Sequence, residues 1–494
     1  MSKDQASAIH PANIADIPAW DFETDVAIVG YGGAGSCAAI EASDAGAKVM
    51  LFEASSDSGG STALSSAEIY MGGNGGTRVQ QACGYDDSSE DMFNFLMACQ
   101  GPQADEPKIR TYVDNSLDHF NWLVDKGVPF KDSEYKERAI MSLTDDCLLF
   151  TGNEKSWPFR EIAKPCPRGH NLHIEGDNGG PLFMKVMSEN VSKRNIDVHF
   201  ESRALRLVTD DNNEIVGIII RQDKKEKAVR ARKGVVLCAG GFVMNEAMLK
   251  RYTPFLLKGN APTGNPGDTG SGILMGMGVG AAAINMHEGF VSLPFYPPSS
   301  LTYGIFVNDR GQRYISEDCY HGRVGYYSLT QDSDRIYLIF SAEDFESYQQ
   351  GNYLGADIAG TGETIEELES ELGLSAGSLK DTVDYYNKHA AVGEDPQFKK
   401  SKEWLKPLSA PYAALDCTPG RGVFVPMFTL GGLDTLPSGE VLTADGSVIK
   451  GLYAAGRTTA GLPRRAQGYA SGMSVGDATF FGRLAGTAAA SRTT

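Results

Sequence analysis

The residues best suited to chemistry come early in the chain. Gly30-Tyr31-Gly32-Gly33-Ala34-Gly35 has the spacing G-x-G-x-x-G. In this pattern the first glycine permits a tight turn, the second lets backbone approach a pyrophosphate, and the last lets a helix pack closely on a strand. Phosphates are attracted by the free N–H groups and the dipole at the start of the following helix. Glu53, about twenty residues on, stands where a carboxylate accepts from a ribose hydroxyl. That acid favours adenosine with a free 2′-hydroxyl, as in NAD or FAD, over a 2′-phosphate. Ser58-Gly59-Gly60-Ser61-Thr62 follows, with Ser65, Ser66, Gly72 and Gly73 beyond. A Gly/Ser loop of this kind offers backbone and hydroxyl donors to a flavin ring and its ribityl chain.

The elements that must hold these groups surround them. Residues 24–30 (TDVAIVG) read as a buried strand, 34–45 as a helix of small residues, and 48–53 (KVMLFE) as a second strand. Both strands are apolar on each face, as parallel strands are. Further on, 214–220 (EIVGIII), a charged hairpin-like stretch at 221–233 and 234–241 (GVVLCAGG) predict a small meander returning to a central strand. The Gly/Ala-rich stretch 272–286 predicts one packed helix. From 287 to 440 the pattern changes to clustered aromatics and prolines, then to charged helical periodicity. The chain end returns to a strand (GLYAAGR), a Gly-rich loop and a small-residue helix. The expected architecture is α/β. Residues 1–286 and 441–494 form a discontinuous Rossmann-like dinucleotide-binding domain, and 287–440 is inserted as a second domain.

Composition narrows the partners. The 494 residues are 41% apolar, enough for substantial cores. Lys and Arg number 45 against 63 Asp and Glu, a net charge of −18. That charge argues against nucleic acid or an anionic membrane surface as the main partner. The eight cysteines include no CxxC, so neither iron–sulfur nor zinc sites are expected, and they read as reduced thiols. No metal site is expected. The polar first twenty residues lack a signal-peptide core, and no apolar run reaches the ~18 residues of a membrane span. A cytoplasmic protein is expected.

Taken together, these stretches resemble the flavoprotein family of fumarate reductase and succinate dehydrogenase flavin subunits. The matching motifs run in the family's order along nearly the whole chain. They are 25–35 (DVAIVGYGGAG) with Glu53, GGST, 235–242 (VVLCAGGF), 267–281 (GDTGSGILMGMGVGA), 304–317 (GIFVNDRGQRYISE), 429–435 (TLGGLDT), 441–457 (VLTADGSVIKGLYAAGR) and the terminal GDATFFGRLAG. The resemblance implies FAD in a glutathione-reductase-type domain, with a capping domain closing over the flavin. It assigns FAD contacts to Gly30, Gly32, Gly33, Ala34, Gly35, Glu53, Ala54, Gly60, Ser61, Thr62, Ala204, Gly240, Gly456, Arg457, Ser474 and Val475. Respiratory members carry a flavin-attaching His just after the GGST-type loop. Here that loop reads GSTALSSAE, so non-covalent FAD is expected.

Two departures move the expected substrate away from dicarboxylates. The capping segment has no matching His-Thr pair, and the terminal loop reads GLPRRAQGYASG rather than a Gly/Asn-rich form. That loop and 317–323 (EDCYHGR) instead resemble the 3-ketosteroid dehydrogenase branch. Tyr320, Tyr469 and Ser471 match the residues of the type that introduces a 4,5 double bond into 5α-reduced 3-oxosteroids. The 1,2-dehydrogenase type carries Tyr-Pro-Gly-Pro-Gly, from which 469–473 (YASGM) departs.

Desaturation beside a ketone needs a base for the α-proton, donors for the developing enolate oxygen, and a hydride acceptor. A tyrosine, with its ordinary pKa near 10, is a neutral donor, and a backbone N–H at Ser471-Gly472 is a second. Ser471 is assigned as proton acceptor, coupled to a tyrosine that passes the proton to solvent or a deeper group. Tyr320 and Tyr469 divide relay and oxyanion support between them. Phe290, Leu293, Phe295 and Tyr296 are expected to form the apolar substrate surface. His170 and His321 are the nearest candidate titrating histidines. The electron acceptor that reoxidises the flavin is unidentified. Two alternatives stay open within the fold: a 1,2-dehydrogenase, and a fumarate-reductase-like ene-reductase acting on carboxylates through Arg464 and Arg465. An electron carrier without a substrate cleft has no use for so long an insertion, and GGST with LYAAGR disfavours an NAD enzyme.

Overall fold

The computed structural model describes residues 8–345 and 354–493. Strand β1 (Phe22–Val29) leads through the glycine turn into helix α1 (Gly33–Asp44) and strand β2 (Val49–Phe52). The two strands pair in parallel, with Ile28 opposite Leu51, and β2 pairs in parallel with β3 (Ile196–His199). Strands β4 (Arg203–Thr209), β5 (Ile215–Gln222) and β6 (Lys225–Leu237) form an antiparallel meander.

The charged stretch 221–233 carries the hairpin that its composition suggests. The turn is confined to Asp223 and Lys224, both with positive φ (53° and 62°), the geometry that matches the twist of a two-residue hairpin. The rest belongs to β6, a single strand of 13 residues. Its first part pairs antiparallel with β5. Its apolar end, 235–237, is sandwiched in parallel between β1 and β7 (Val448–Ala454). The end of the chain thus completes the sheet begun at its start.

The helix expected over 272–286 stops early. It spans Ser271–Gly278, and Ala283–Ile284 then forms a strand paired with Gly432–Leu433. Gly280, at φ 90°, ends it in the left-handed conformation that commonly closes helices.

The segment 287–440 contributes a four-stranded antiparallel sheet, in the order Ile305–Asn308, Ile336–Ser341, Tyr412–Asp416, Ile358–Gly362. Its apolar face meets the helices Ile365–Glu371 and Ser378–Ala390 through Ile305, Ile339, Leu368 and Val383. Strand Pro426–Thr429 pairs with Ala261–Pro262 on one side and Gly289–Val291 on the other, joining chain from both sides of residue 286. Helix α2 (His321–Leu329) follows the first part of this segment, and helix α3 (Met473–Ser491) closes the chain. Helix α3 lies directly against α1. A Cβ on Gly482 would sit 2.5 Å from the Ala34 carbonyl oxygen, and one on Gly486 2.2 Å from that of Ala38. Only glycine permits this approach, which seats the start of α1 against the middle of α3. Among the described residues, no helix is long and apolar enough to cross a membrane.

Candidate functional site

A cavity of about 360 Å³ opens at the C-terminal ends of the parallel strands, between the large sheet and the inserted segment. Ligands of open α/β sheets bind in this position.

One end of the cavity is backbone and glycine. Hydrogen bonds Gly30 N–Phe52 O and Cys238 N–Val29 O, both 2.8 Å, hold the turn against its neighbours. Gly30 has φ 102°, and a Cβ there would lie 2.3 Å from the Cys238 carbonyl oxygen. Gly35 serves packing rather than lining, since a Cβ there would meet the Gly30 carbonyl oxygen at 1.9 Å. Gly32 begins α1 with no side-chain cap, and Gly33 N donates to Thr62 Oγ1 at 3.1 Å. Glu53 stands at the rim of the turn. Its two oxygens accept from Tyr31 N and Ser55 N, each at 2.8 Å, which fixes the carboxylate where a ribose would lie. Ala54, Gly60, Ser61, Ala204, Gly240, Gly456, Arg457, Ser474 and Val475 also line the cavity.

A residue that sequence reasoning did not single out ties these loops together. Asp268 is buried, and its carboxylate accepts from Ser61 Oγ (2.7 Å) and Gly241 N (3.0 Å) and pairs with Arg457. Its signal was present only as part of the GDTGSG motif.

The donor set fits a dinucleotide carrying FAD's charges. The N-terminus of α3 is also uncapped, at Gly472 (φ 87°), and also faces the cavity. Two helix starts thus offer free N–H groups and favourable dipoles to one elongated anionic ligand. Glycines at 30, 32, 240 and 456 leave room for it.

At the other end the lining turns to rings and hydroxyls. Tyr320 N donates to Asn153 Oδ1 (2.9 Å), and Tyr320 Oη lies 2.8 Å from Ser471 Oγ. Ser471 is itself gripped by Thr151, its N–H donating to Thr151 O (2.9 Å) and its carbonyl accepting from Thr151 Oγ1 (3.1 Å). Tyr469 Oη donates to Ser474 Oγ (3.0 Å). Its ring lies 4.5 Å from that of Phe290, which stacks 4.7 Å from Phe428. Tyr320, Tyr469, Ser471 and Gly472 therefore share one wall. Burial pushes the Tyr469 hydroxyl up to about 12 and that of Tyr320 well above 10, so both stay protonated and act as donors.

The predicted apolar surface is placed differently. Phe290 lines the cavity with Ser292 and Pro294, whereas Leu293 and Phe295 are fully buried in the core behind it. Successive residues of an extended segment point to opposite faces, so only every second one reaches the cavity. Beyond Pro294 the chain turns away. Tyr296 also misses the cavity, its hydroxyl accepting from His321 N at 3.1 Å. The apolar walls come instead from Phe290, Phe428, Phe424, Pro426, Ile140 and Met141.

His321 lines the cavity, with Nδ1 2.5 Å from Ser292 Oγ; burial lowers it to about 3, so it is neutral. His170 lies elsewhere, bound to Thr77 Oγ1 (2.8 Å) and lowered by burial to about 4. Arg464 bonds Asp105 (2.7 Å) and Arg465 bonds Gln467 (2.7 Å), and neither lines the cavity. Two further residues carried no sequence signal. Arg138 donates to the carbonyls of Glu317, Asp318 and Cys319 at 2.6–3.2 Å, fixing the approach to Tyr320. Glu68, a buried carboxyl, faces the cavity beside Ser471.

Comparison with known proteins agrees with this geometry. A family model described as an FAD binding domain matches residues 25–472. The chain is 44% identical, with a TM-score of 0.93, to a crystal structure of 3-ketosteroid-Δ4-(5α)-dehydrogenase from Rhodococcus jostii RHA1 in complex with 4-androstene-3,17-dione; 98% of this chain and 100% of that one are covered. It is 26% identical to the 3-oxo-5-alpha-steroid 4-dehydrogenase of Comamonas testosteroni, covering 92% of this chain and 97% of the relative. It is 28% identical to a fumarate reductase (cytochrome) of Shewanella frigidimarina, covering 94% and 77%.

Proposed function

The chain belongs to the FAD-binding family of fumarate reductase and succinate dehydrogenase flavoproteins and is an FAD-dependent oxidoreductase, and from that premise we propose that it introduces a 4,5 double bond into 5α-reduced 3-oxosteroids. The observation that carries this reading is the Tyr320–Ser471 hydroxyl pair, 2.8 Å apart and facing Tyr469 across an aromatic cavity. Similarity to the Rhodococcus enzyme, which binds a steroid dione, supports it.

Bound FAD supplies the hydride acceptor. The protein's own groups do the rest. Phe290, Phe428 and Met141 exclude water and hold the flat apolar nucleus. Tyr469 Oη and the N–H groups at the start of α3, beginning at Gly472, stabilise negative charge growing on the ketone oxygen. Ser471 Oγ receives the α-proton, and Tyr320, held protonated, donates to Ser471 Oγ and steadies the charge that forms there.

FAD is held without a covalent bond, because residues 63–69 after the GGST loop contain no histidine. Residues 287–440 act as the capping unit over the flavin. The electron acceptor that returns the flavin to its oxidised state is a separate molecule. A carboxylate-reducing function is less well served: Arg464 and Arg465 lie outside the cavity and Arg457 is committed to Asp268.

Anaerobic mixing with 5α-androstane-3,17-dione, 4-androstene-3,17-dione and succinate in separate cuvettes tests the proposal. Bleaching of oxidised flavin by the first alone is expected; bleaching by succinate alone would reverse the substrate class.

A further inference from the structure

The hydroxyl pair at the centre of the site has a chemical gap. Ser471 can take a proton only if it hands one on, and Tyr320, kept protonated by burial, is a poor recipient. Some other group must end the relay.

The ionisable side chains around the cavity narrow the choice. Glu53 has both oxygens engaged by backbone amides. Asp268 is paired with Arg457. Asp177 lies exposed at the mouth. His321 is held neutral and its Nδ1 is bonded to Ser292. Nε2 of His321 is also unpartnered, but burial lowers that ring to about 3, too weak a base to end the relay, and Glu68 differs from it and from the other carboxylates. It is 3% exposed and lines the cavity, and its Oε1 has no hydrogen-bond partner.

Glu68 also stands next to Ser471's support. Its Oε1 and Thr151 Oγ1 each lie 2.8 Å from the point a Cβ on Gly169 would occupy, so they are within twice that distance of each other. Thr151 is the residue that grips Ser471 from both sides. The backbone after Glu68 joins the same assembly, Tyr70 N donating to Gly472 O at 3.1 Å.

No cation neutralises Glu68 among the described residues that surround it. Across from it are the Tyr320 and Tyr469 hydroxyls and a second buried carboxyl, Glu154, which accepts from Tyr70 Oη at 2.8 Å. Arg168 is bound to Asp87 through two hydrogen bonds (2.8 and 2.7 Å), and His170, on the neighbouring strand, is neutral. Asn171 offers an amide donor at 3.2 Å to Oε2. A carboxyl so placed resists ionisation and sits well above the usual carboxylate range, chiefly through burial, with Glu154 adding to the rise and the Thr151 hydroxyl opposing it. A carboxyl shifted upward in this way holds a proton more firmly than an ordinary one, so its ionised form is the stronger base.

We propose that Glu68 is the terminal proton acceptor of the site, receiving through Ser471 the proton lost from the substrate. As the α C–H bond breaks, Ser471 Oγ takes that proton, and its own hydroxyl proton passes through a bridging water in the cavity to Glu68 Oε1, an acceptor that no protein donor occupies. The C–H electron pair becomes the new C=C bond, and FAD, held by the 30–35 turn and the loop at Gly456 and Arg457, would supply the acceptor for the hydride leaving the β carbon. The substrate loses one proton and one hydride, the proton ending on Glu68 and the hydride on the cofactor. Glu68 then returns its proton to solvent before the next cycle.

This inference rests on the desaturase reading, and its test separates the two. FAD-loaded wild type and Glu68→Gln are mixed anaerobically with 5α-androstane-3,17-dione across the pH range. The wild-type bleaching rate should climb with pH along one ionisation. In E68Q the rate should fall by about a hundredfold or more and the climb should vanish. FAD content and the spectral change on binding 4-androstene-3,17-dione should stay as in wild type. A Gln variant with the wild-type rate, or a slower one with the same climb, overturns the proposal. Infrared titration of the oxidised, steroid-free protein reads the group without turnover. The expected result is a carboxylic acid C=O band that fades as pH rises, is lost in E68Q and moves in Glu68→Asp. Absence of that band from wild type overturns the proposal even if E68Q does not fold. Wild type that keeps the band but is not bleached by 3-oxosteroids overturns the desaturase reading instead.

Discussion

Tyr320 and Ser471 are 151 positions apart in the chain, yet their hydroxyl oxygens lie 2.8 Å apart on one cavity wall. Tyr320 is delivered by the start of α2 in the inserted segment, Ser471 by the loop before α3. The pair exists only when both parts of the chain are seated, so the site assembles as the fold closes.

Ser471→Ala should therefore leave FAD content unchanged while slowing steroid-driven bleaching by about 10²–10⁴-fold, the usual worth of a positioned proton-transfer group. The two measurements are the visible absorbance of the purified protein and the single-turnover bleaching rate. An unchanged rate would remove Ser471 from the mechanism.

Tyr469→Phe tests oxyanion support. It removes one donor and keeps the ring against Phe290. Loss of a single preorganised donor costs about 10²–10³-fold in rate. Single-turnover kinetics should show that drop, with little change in the dissociation constant for 4-androstene-3,17-dione.

Asp268→Ala should weaken FAD binding rather than the chemistry. The change leaves the half-buried Arg457 without its partner and frees both Ser61 Oγ and Gly241 N. Breaking a buried pair on one side costs about 3–5 kcal/mol. Titration of the apoprotein with FAD, followed by flavin fluorescence, should show a much higher dissociation constant. Equal affinity would mean that Asp268 does not organise the loops.

Gly482→Val should damage the scaffold. The added side chain meets the Ala34 carbonyl oxygen, so α1 and α3 must move apart. A lowered Tm and reduced FAD content are the expected outcome, measured by thermal unfolding and the flavin-to-protein absorbance ratio.

His170 gives a stability signal in acid. Burial lowers it to about 4 in the fold, against about 6.5 in the unfolded chain. The unfolded state thus binds the proton more readily, and stability is lost as pH falls from about 6.5 towards 4, by roughly 3 kcal/mol in all. His170→Asn should flatten the fall of Tm across that window relative to wild type. Parallel curves would show that another group governs the acid response.

The strand, glycine turn and helix of residues 22–44 were legible because their cause is local. A tight turn, an uncapped helix start and a buried parallel strand each follow from residues a few positions apart. The resemblance carried Tyr320, Tyr469 and Ser471 to one site for a different reason, since spacing says nothing about their meeting. Where the reading used composition without geometry it was less accurate. Residues 290–296 look largely apolar, but their extended backbone sends Leu293 and Phe295 into the core and leaves Phe290 in the cavity. The stretch 272–286 looked like one helix because small residues fit a helix; Gly280 at positive φ ends it.

What the amino-acid sequence determined by itself was the dinucleotide turn, the small-residue helices and the apolar strands, all set by short-range backbone preferences and periodicity. Only the tertiary structure decided which carboxyls and hydroxyls face one another. Asp268 reaches Arg457, and Glu68 comes to lie beside Ser471, because sheet pairing between β6 and β7 and the packing of α3 on α1 draw remote segments together. Those long-range contacts depend on the whole topology, and no local pattern encodes them.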